Sequence, residues 1–448
     1  MRHLETFQAR PGTTIERHEL DNGLVLILLI DPQAPVFSYQ TWFRVGSRHE
    51  RTGKTGIAHL FEHLMFKETK NTPEGQFDRI LESIGARNNA ATWLDWTFYY
   101  EDVPAGHLEQ VVRLEADRME NMSLTSKQLE AEREVVINER KQRVDNDPGG
   151  KLSEVLWDAA FKQHPYGHPT IGWMPDIEAL SLEDCLAFYR TYYSPNNAVL
   201  VIAGDVDREA CLALVRQYYG HLDRQEIPAA DLTPEPAQHE VRRVEEKLPL
   251  TADRLLLGYK APSMLHPDFP ALEILNEALA EGDSARLQRA LVTEGELATG
   301  FSAFVPPFRE VGLFEITVEM REGHTAEEAE AVVLAELEKL MHEGVSEAEL
   351  DKARNKLETR FYRGLQTAQQ RANALGFWEV TGGDYKKLFQ QSERYAAVTR
   401  EDVVRVARDV LRPDNRTVAI GRPLPEGEDE GDLPDDDAGA EADAPPGP

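Results

Sequence analysis

The sequence predicts an α+β protein made of two homologous domains, each an antiparallel-rich sheet covered by helices. Three observations carry this. The chain repeats itself: Leu182-Glu183-Asp184 opens a helical stretch that ends at Tyr193-Ser194-Pro195, and Arg400-Glu401-Asp402 opens one that ends at Leu411-Arg412-Pro413. Glu183 and Glu401 are 218 residues apart, and so are Pro195 and Pro413, each followed by an apolar strand-like run. A period that long marks duplication of a whole domain rather than a solenoid. Each half also opens on apolar strand-like runs, residues 23–30 and 37–45 in the first and 254–259 in the second. Finally, amphipathic helical patterns are mixed with further strands in both halves, which is how helices come to cover one sheet.

In chain order, residues 1–14 form an N-terminal segment with no apolar core of the kind a secretory signal needs. Residues 15–222 make the first domain. Its run 24–30 is too short to span a membrane and reads as a buried strand. Residues 223–250 carry Pro228, Pro234 and Pro236 among many charges and read as a linker. Residues 251–422 make the second domain. The stretch 423–448 holds ten acidic residues and no basic one, so it is expected to be disordered and to serve solubility. The net charge is −30, of which the tail supplies −10, so the body still carries −20. That balance argues against a nucleic-acid partner. Two cysteines, Cys185 and Cys211, give no disulfide framework and read as small core residues of a reducing compartment. A soluble cytoplasmic protein with no membrane partner is expected.

The most informative stretch is Gly56 to Phe66. His59 and His63 stand four residues apart, so on a helix they share a face and can grip one metal ion. Ile57, Leu60, Phe61 and Leu64 form the buried stripe of the same helix. Glu62 then lies beside the metal without being needed as a ligand, where a general base for an activated water belongs. His-x-x-Glu-His is the inverzincin arrangement.

Catalytic zinc sites use three protein ligands, so a carboxylate must come from elsewhere. Residues 126–143 read as a helix with Ser126 as N-cap and Leu129, Val135 and Val136 as its apolar arc. Glu132 and Glu139 fall inside that arc, seven residues apart and stacked on one face. Inward carboxylates must be paired, protonated or bound to metal, and either could instead be salt-bridged to an arginine.

With these residues in place, the chain resembles the pitrilysin-type (M16) family of zinc metallopeptidases, which includes insulin-degrading enzyme and the mitochondrial processing peptidase. It is most similar in size to the shorter, two-domain processing-peptidase-like subunits. Further matches are Asn89-Ala90-Ala91-Thr92 with Asp95 and Thr97, His164-Pro165-Tyr166, Pro195-Asn196-Asn197-Ala198, Gly204-Asp205-Val206, and Gly282 to Leu287. Glu68 and Ala86 depart from the family, which usually has Gly there. The resemblance implies Zn2+ held by His59, His63 and Glu139, Glu62 as the catalytic base, and Glu132 orienting a ligand histidine from behind. It also implies that Asn89 and Ala90 lie on an edge strand and bind the substrate backbone. The implied activity is that of a zinc-dependent endopeptidase acting on peptides or unfolded segments. The alternative is a scaffold or assembly subunit of a peptidase-like complex.

The repeat lands the metal helix near residues 271–279, where Asn276 and Glu277 occur but no histidine. The second domain is therefore expected to be scaffold and peptide-binding wall. Full-size relatives close a clam-shell from four such domains, and this chain supplies half. The family's Arg and Tyr that hold the substrate carbonyl have no counterpart in 312–318; Arg309 and Arg321 flank it without a paired Tyr. A dimer is expected, with a related chain lacking His-x-x-Glu-His or with itself.

Overall fold

The computed structural model describes residues 1–10, 13–229 and 233–425. The acidic stretch read as disordered lies, from residue 426 on, outside the described residues. The first sheet contains β1 (Arg2–Arg10), β2 (Thr13–Glu19), β3 (Val25–Ile30), β4 (Val36–Phe43), β5 (Arg87–Thr92), β6 (Thr97–Pro104) and β7 (Ala198–Gly204). Their order is β1-β2-β3-β7-β4-β6-β5, antiparallel except for β3 and β7. The second sheet contains β8 (Arg242–Leu248), β9 (Arg254–Ala261), β10 (Ala298–Phe304), β11 (Gly312–Met320) and β12 (Arg416–Pro423). Read from β8, its order β8-β12-β9-β11-β10 repeats β3-β7-β4-β6-β5 strand for strand, down to the single parallel pair. The fold is α+β and duplicated.

Three strands differ from the expectation. β1 lies within the segment 1–14 and β2 straddles its end; together they extend the first sheet. β8 falls inside 223–250 and is the edge of the second sheet rather than linker. β8 alternates half-buried and exposed positions along Arg-Arg-Val-Glu-Glu-Lys-Leu. An edge strand with one wet face carries charge, so its composition looks like a loop.

The central strands β3 and β7 are apolar almost throughout because both faces of the sheet are covered. One face carries α1 (Ile57–Leu64), α2 (Gln76–Ser83), α3 (Leu108–Asn121) and α4 (Ser126–Arg140), with the later helices Leu182–Tyr192 and Arg208–Tyr219. The other face is covered by the second repeat. Ala372, Leu375 and Val380 of helix Ala368–Val380 pack on Ile27, Trp42, Phe98 and Val201. The exchange is reciprocal: Leu152, Leu156 and Ala160 of α5 (Pro148–Ala160) pack on Leu256, Leu313 and Ala419 of the second sheet. Each repeat thus lends a helix to the other's sheet. Both cysteines are buried and unpaired. No helix among the described residues is long and apolar enough to cross a membrane.

Candidate metal centre

α1 is a short helix that must be placed accurately. Ile57, Ala58, Leu60, Phe61 and Leu64 are buried beneath it, while His59, Glu62 and His63 are half-buried on its other side. Gly56 precedes it with φ of 86°, and a Cβ there would meet the Ile171 carbonyl oxygen at 2.5 Å. The Glu50 carboxylate caps the helix, accepting the Gly56 N–H at 2.9 Å and the Ala58 N–H at 2.8 Å. His168 Nε2 lies 3.0 Å from Glu50 and 2.9 Å from the Ser47 carbonyl.

α4 supplies the carboxylates. Its N-cap is Thr125, in a capping box with Gln128, so Ser126 is the first helical residue rather than the cap. The α-helix ends at Arg140 and a π-helical turn, Lys141–Asp145, follows. Leu129, Glu132, Val136, Ile137 and Arg140 are buried. Val135 corrects the expected apolar arc: its relative exposure is 48%, because it shares the exposed stripe of Ala131 and Asn138, four residues before and three after it. The next residue after Glu139, Arg140, donates to the Gly172 carbonyl at 2.7 Å and pairs with Glu154 at 2.8 Å. Gly172 packs on Gly56 so closely that a Cβ would meet Gly56 Cα at 2.5 Å. The loop 168–173 therefore pins the start of α1 and the end of α4 together. These bracing residues are far apart in sequence, and nothing in their local spacing marks them.

The two helices bring His59 Nε2 and His63 Nε2 within 3.5 and 3.4 Å of Glu139 Oε2, and the three atoms all lie within 4.8 Å of one another. Glu132 stands behind them. One of its oxygens is 3.0 Å from His63 Nδ1 and the other is 2.6 Å from Lys67 Nζ. The two carboxylates are thus sorted: Glu139 faces both ring nitrogens, and Glu132 holds the far side of one ring. Burial pulls His59 down to about 4, so its imidazole is neutral. Burial also lowers His63, but Glu132 and Glu139 outweigh it and lift the ring to about 9. Hydrogen bonding to His63, then to Lys67, holds Glu132 at about 2 against its burial. Glu139 is also lowered, burial being outweighed by His63, His59 and Arg143. A protonated His63 between two carboxylates marks a place that accommodates a cation. Two imidazole nitrogens and one carboxylate oxygen, with the remaining nitrogen of His63 oriented by Glu132, fit zinc.

Burial lifts Glu62 to about 7, with Thr92 pulling the other way, and its Oε2 is buried with no partner among the described residues. Thr92 ends β5, which is hydrogen-bonded to β6 on one side only, leaving its other edge free among the described residues. The structure places Asn89 on that strand, exposed, and Ala90 beside it, half-buried.

The equivalent helix of the second repeat, Phe269–Ala280, carries Glu277, 1% exposed and paired with Arg360 at 2.6 Å and Lys356 at 3.6 Å. An ion pair occupies the place the metal ligands hold in the first repeat. Arg309 and Arg321 bond to the carbonyls of Val380 and Ala298. A second His/Glu group, His3, Glu16 and His18, is spoken for, since Arg208 Nε and Nη2 both donate to Glu16 at 2.8 Å.

The family model described as insulinase (peptidase family M16) matches residues 25–173, and the one described as peptidase M16 inactive domain matches residues 179–357. Zinc protease PqqE of Helicobacter pylori is 31% identical over 91% of this chain and 94% of its own. The probable mitochondrial-processing peptidase subunit beta of Schizosaccharomyces pombe is 26% identical over 88% of each chain. A protease from Helicobacter pylori of known crystal structure superposes with a TM-score of 0.86 at 30% identity, covering 91% of this chain and 99% of that one. The periplasmic protease PqqL from Escherichia coli shares the fold at a TM-score of 0.75 and 20% identity, and only 48% of its chain is covered. Duplicated sheets, matched domain models and relatives along nine-tenths of the chain lead to one conclusion: the chain belongs to peptidase family M16.

Proposed function

We propose that the protein is a zinc-dependent endopeptidase acting on peptides or unfolded polypeptide segments. The observation that carries this reading is the convergence of His59, His63 and Glu139 beside a buried, partly unpartnered Glu62, at the end of a free sheet edge. His59, His63 and Glu139 would hold the ion, which when bound supplies Lewis acidity to a carbonyl and lowers the pKa of a water. Glu62 would serve as the base for such a water, since a half-buried carboxyl raised by burial to about 7 suits a group that accepts and returns a proton near neutrality. Glu62 then delivers the proton to the leaving amine. Glu132 fixes the His63 ring so that Nε2 faces inward. The substrate lies as an added strand along β5, with main-chain bonds near Asn89 and Ala90 giving affinity with little sequence preference.

The chain acts as half of a chamber. It lacks the expected Arg/Tyr pair, and PqqL, of the same fold, is about twice its length. A second chain, of related sequence or identical, would close the site.

Peptide hydrolysis by wild-type protein and by Glu62→Gln tests this reading. The variant is expected to keep its zinc and lose about 10²–10⁴-fold in rate. A variant that keeps full activity would remove Glu62 as the base, and a wild-type assembly that binds zinc and hydrolyses nothing would leave the scaffold reading in its place.

A further inference from the structure

Two of the matched stretches, Asp95 in the turn after β5 and His164-Pro165-Tyr166, hold no metal ligand, yet they meet. The Tyr166 hydroxyl donates to both Asp95 oxygens, at 2.8 and 2.9 Å. Arg48 Nη1 donates to Oδ1 at 2.9 Å, and the backbone N–H of Arg309 donates to Oδ2 at 3.1 Å. Tyr166 in turn accepts the Glu310 N–H at 3.3 Å. The Asp95 side chain is only 3% exposed, so these bonds are its solvation. Burial, and then the Asp95 charge, push the Tyr166 hydroxyl up, so it stays a donor. One buried carboxylate thus ties together the stretch before α1, the loop after α5 and the second repeat.

The knot stands between the reacting groups and the second repeat. On one side, the N–H groups of Ser47 and Arg48 donate to the carbonyls of Trp93 and Leu94 at 3.0 Å each. That stretch leads within two residues to Glu50, the cap of α1. On the other side, Phe308 stands edge-to-face with Trp93, ring centroids 5.2 Å apart at 82°, and Trp93 directly follows Thr92, the last residue of β5. Phe308 belongs to the connection 305–311 between β10 and β11, which has no helix or strand of its own to fix it. Such a stretch keeps one position only where outside bonds hold it.

We propose that Asp95, braced by Arg48 and Tyr166, is a positioning residue for the peptidase: it fixes residues 308–310 of the second repeat at the end of β5, so that a peptide running past the reacting bond meets a preformed wall. The inference rests on the reading of β5 as the substrate's edge strand. A peptide too short to pass Thr92 gains nothing from the wall. A longer one meets Trp93 and then Phe308, at about 3.3 Å per residue. A wall ordered in advance need not be ordered on binding, so its loss falls on KM rather than on kcat.

Two measurements test it, each on Asp95→Asn and Tyr166→Phe. The first turns an amide NH₂ toward Arg48 and Tyr166; the second removes only a hydroxyl and decides the matter if the first fails to fold. Amide hydrogen exchange is expected to speed at least about tenfold at Arg309 in Asp95→Asn and at Glu310 in Tyr166→Phe, with zinc uptake unchanged. Unaltered exchange at both amides overturns the proposal. In the second measurement, the zinc-loaded assembly cleaves peptides lengthened one residue at a time on either side of the cut. The wild type is expected to gain in kcat/KM with length on one side. The variants are expected to lose at least about tenfold of that gain through KM, and to cut the shortest peptides as the wild type does. An equal loss for short and long peptides, or a loss in kcat alone, overturns the positioning role. If the wild type cuts no peptide, the peptidase reading fails, and fluorescence anisotropy of the labelled peptides decides the wall, by whether long peptides lose affinity in the variants and short ones do not.

Discussion

At the residue scale, the structure separates two carboxylates that sequence could only place on one helix. Seven-residue spacing puts Glu132 and Glu139 on the same stripe, but only the packing of α4 against α1 decides that Glu139 meets both ring nitrogens while Glu132 meets the far nitrogen of His63. Glu132→Gln is therefore expected to weaken zinc binding by about 10–100-fold, the cost of loosening a ligand from behind. Competition with a chromogenic chelator measures it, and an unchanged affinity would remove Glu132 from the site. The same network predicts that the metal-free protein remains folded. Protonated His63 then sits between Glu132 and Glu139, so no bare charge is left behind. Chelation is expected to leave the far-UV circular dichroism unchanged and to lower the thermal midpoint, since zinc at a thousand times its Kd contributes about 4 kcal/mol. Collapse of the spectrum on chelation would show instead that the ion is needed for folding.

At the element scale, what was legible and what was not divide along physical lines. The metal helix could be read because its spacing is local: His59, Glu62 and His63 and the stripe Ile57, Leu60, Phe61 and Leu64 need only the helical period. β8 could not, because an edge strand with a wet face is written in charged residues. Val135 looked like core because it is apolar, yet it faces the open side. The brace of Glu50, His168, Arg140 and Gly172 joins residues far apart in sequence, so no spacing announces it. Nor does the sequence show the exchanged helices, since an apolar helix face does not say which sheet it will cover. That exchange makes Gly376 critical: a Cβ there would lie 2.2 Å from Trp42 Nε1. Gly376→Ala is expected to destabilise the protein by about 1–3 kcal/mol through overpacking, although alanine favours helix. Denaturant unfolding checks this, and a stabilised variant would mean that the helix shifts freely over the sheet.

At the scale of the whole molecule, the two repeats form one folding partnership. Helix Ala368–Val380 covers Trp42 and its neighbours, and α5 covers Leu313 and Ala419. Residues 1–229 expressed alone would expose an apolar sheet face, and are expected to aggregate or stay molten by near-UV circular dichroism and gel filtration. A monomeric, well-folded fragment would refute the partnership. The duplicated topology was legible because Glu183 to Pro195 and Glu401 to Pro413 keep their spacing, and the strand order bears the duplication out. For the active assembly, two chains are expected to face one another, so size and peptidase activity should rise together with concentration or with added partner. A fully active monomer would contradict the pairing.

The central claim is that one zinc ion is held by His59, His63 and Glu139. Equilibrium dialysis of the purified protein against zinc, with metal analysis of the retained chain, tests it most directly. One tightly held zinc per chain is expected in the wild type, with that site lost in Glu139→Gln and retained in Glu62→Gln. A wild type that holds no zinc, or a Glu139→Gln variant that holds it as tightly, would contradict the account.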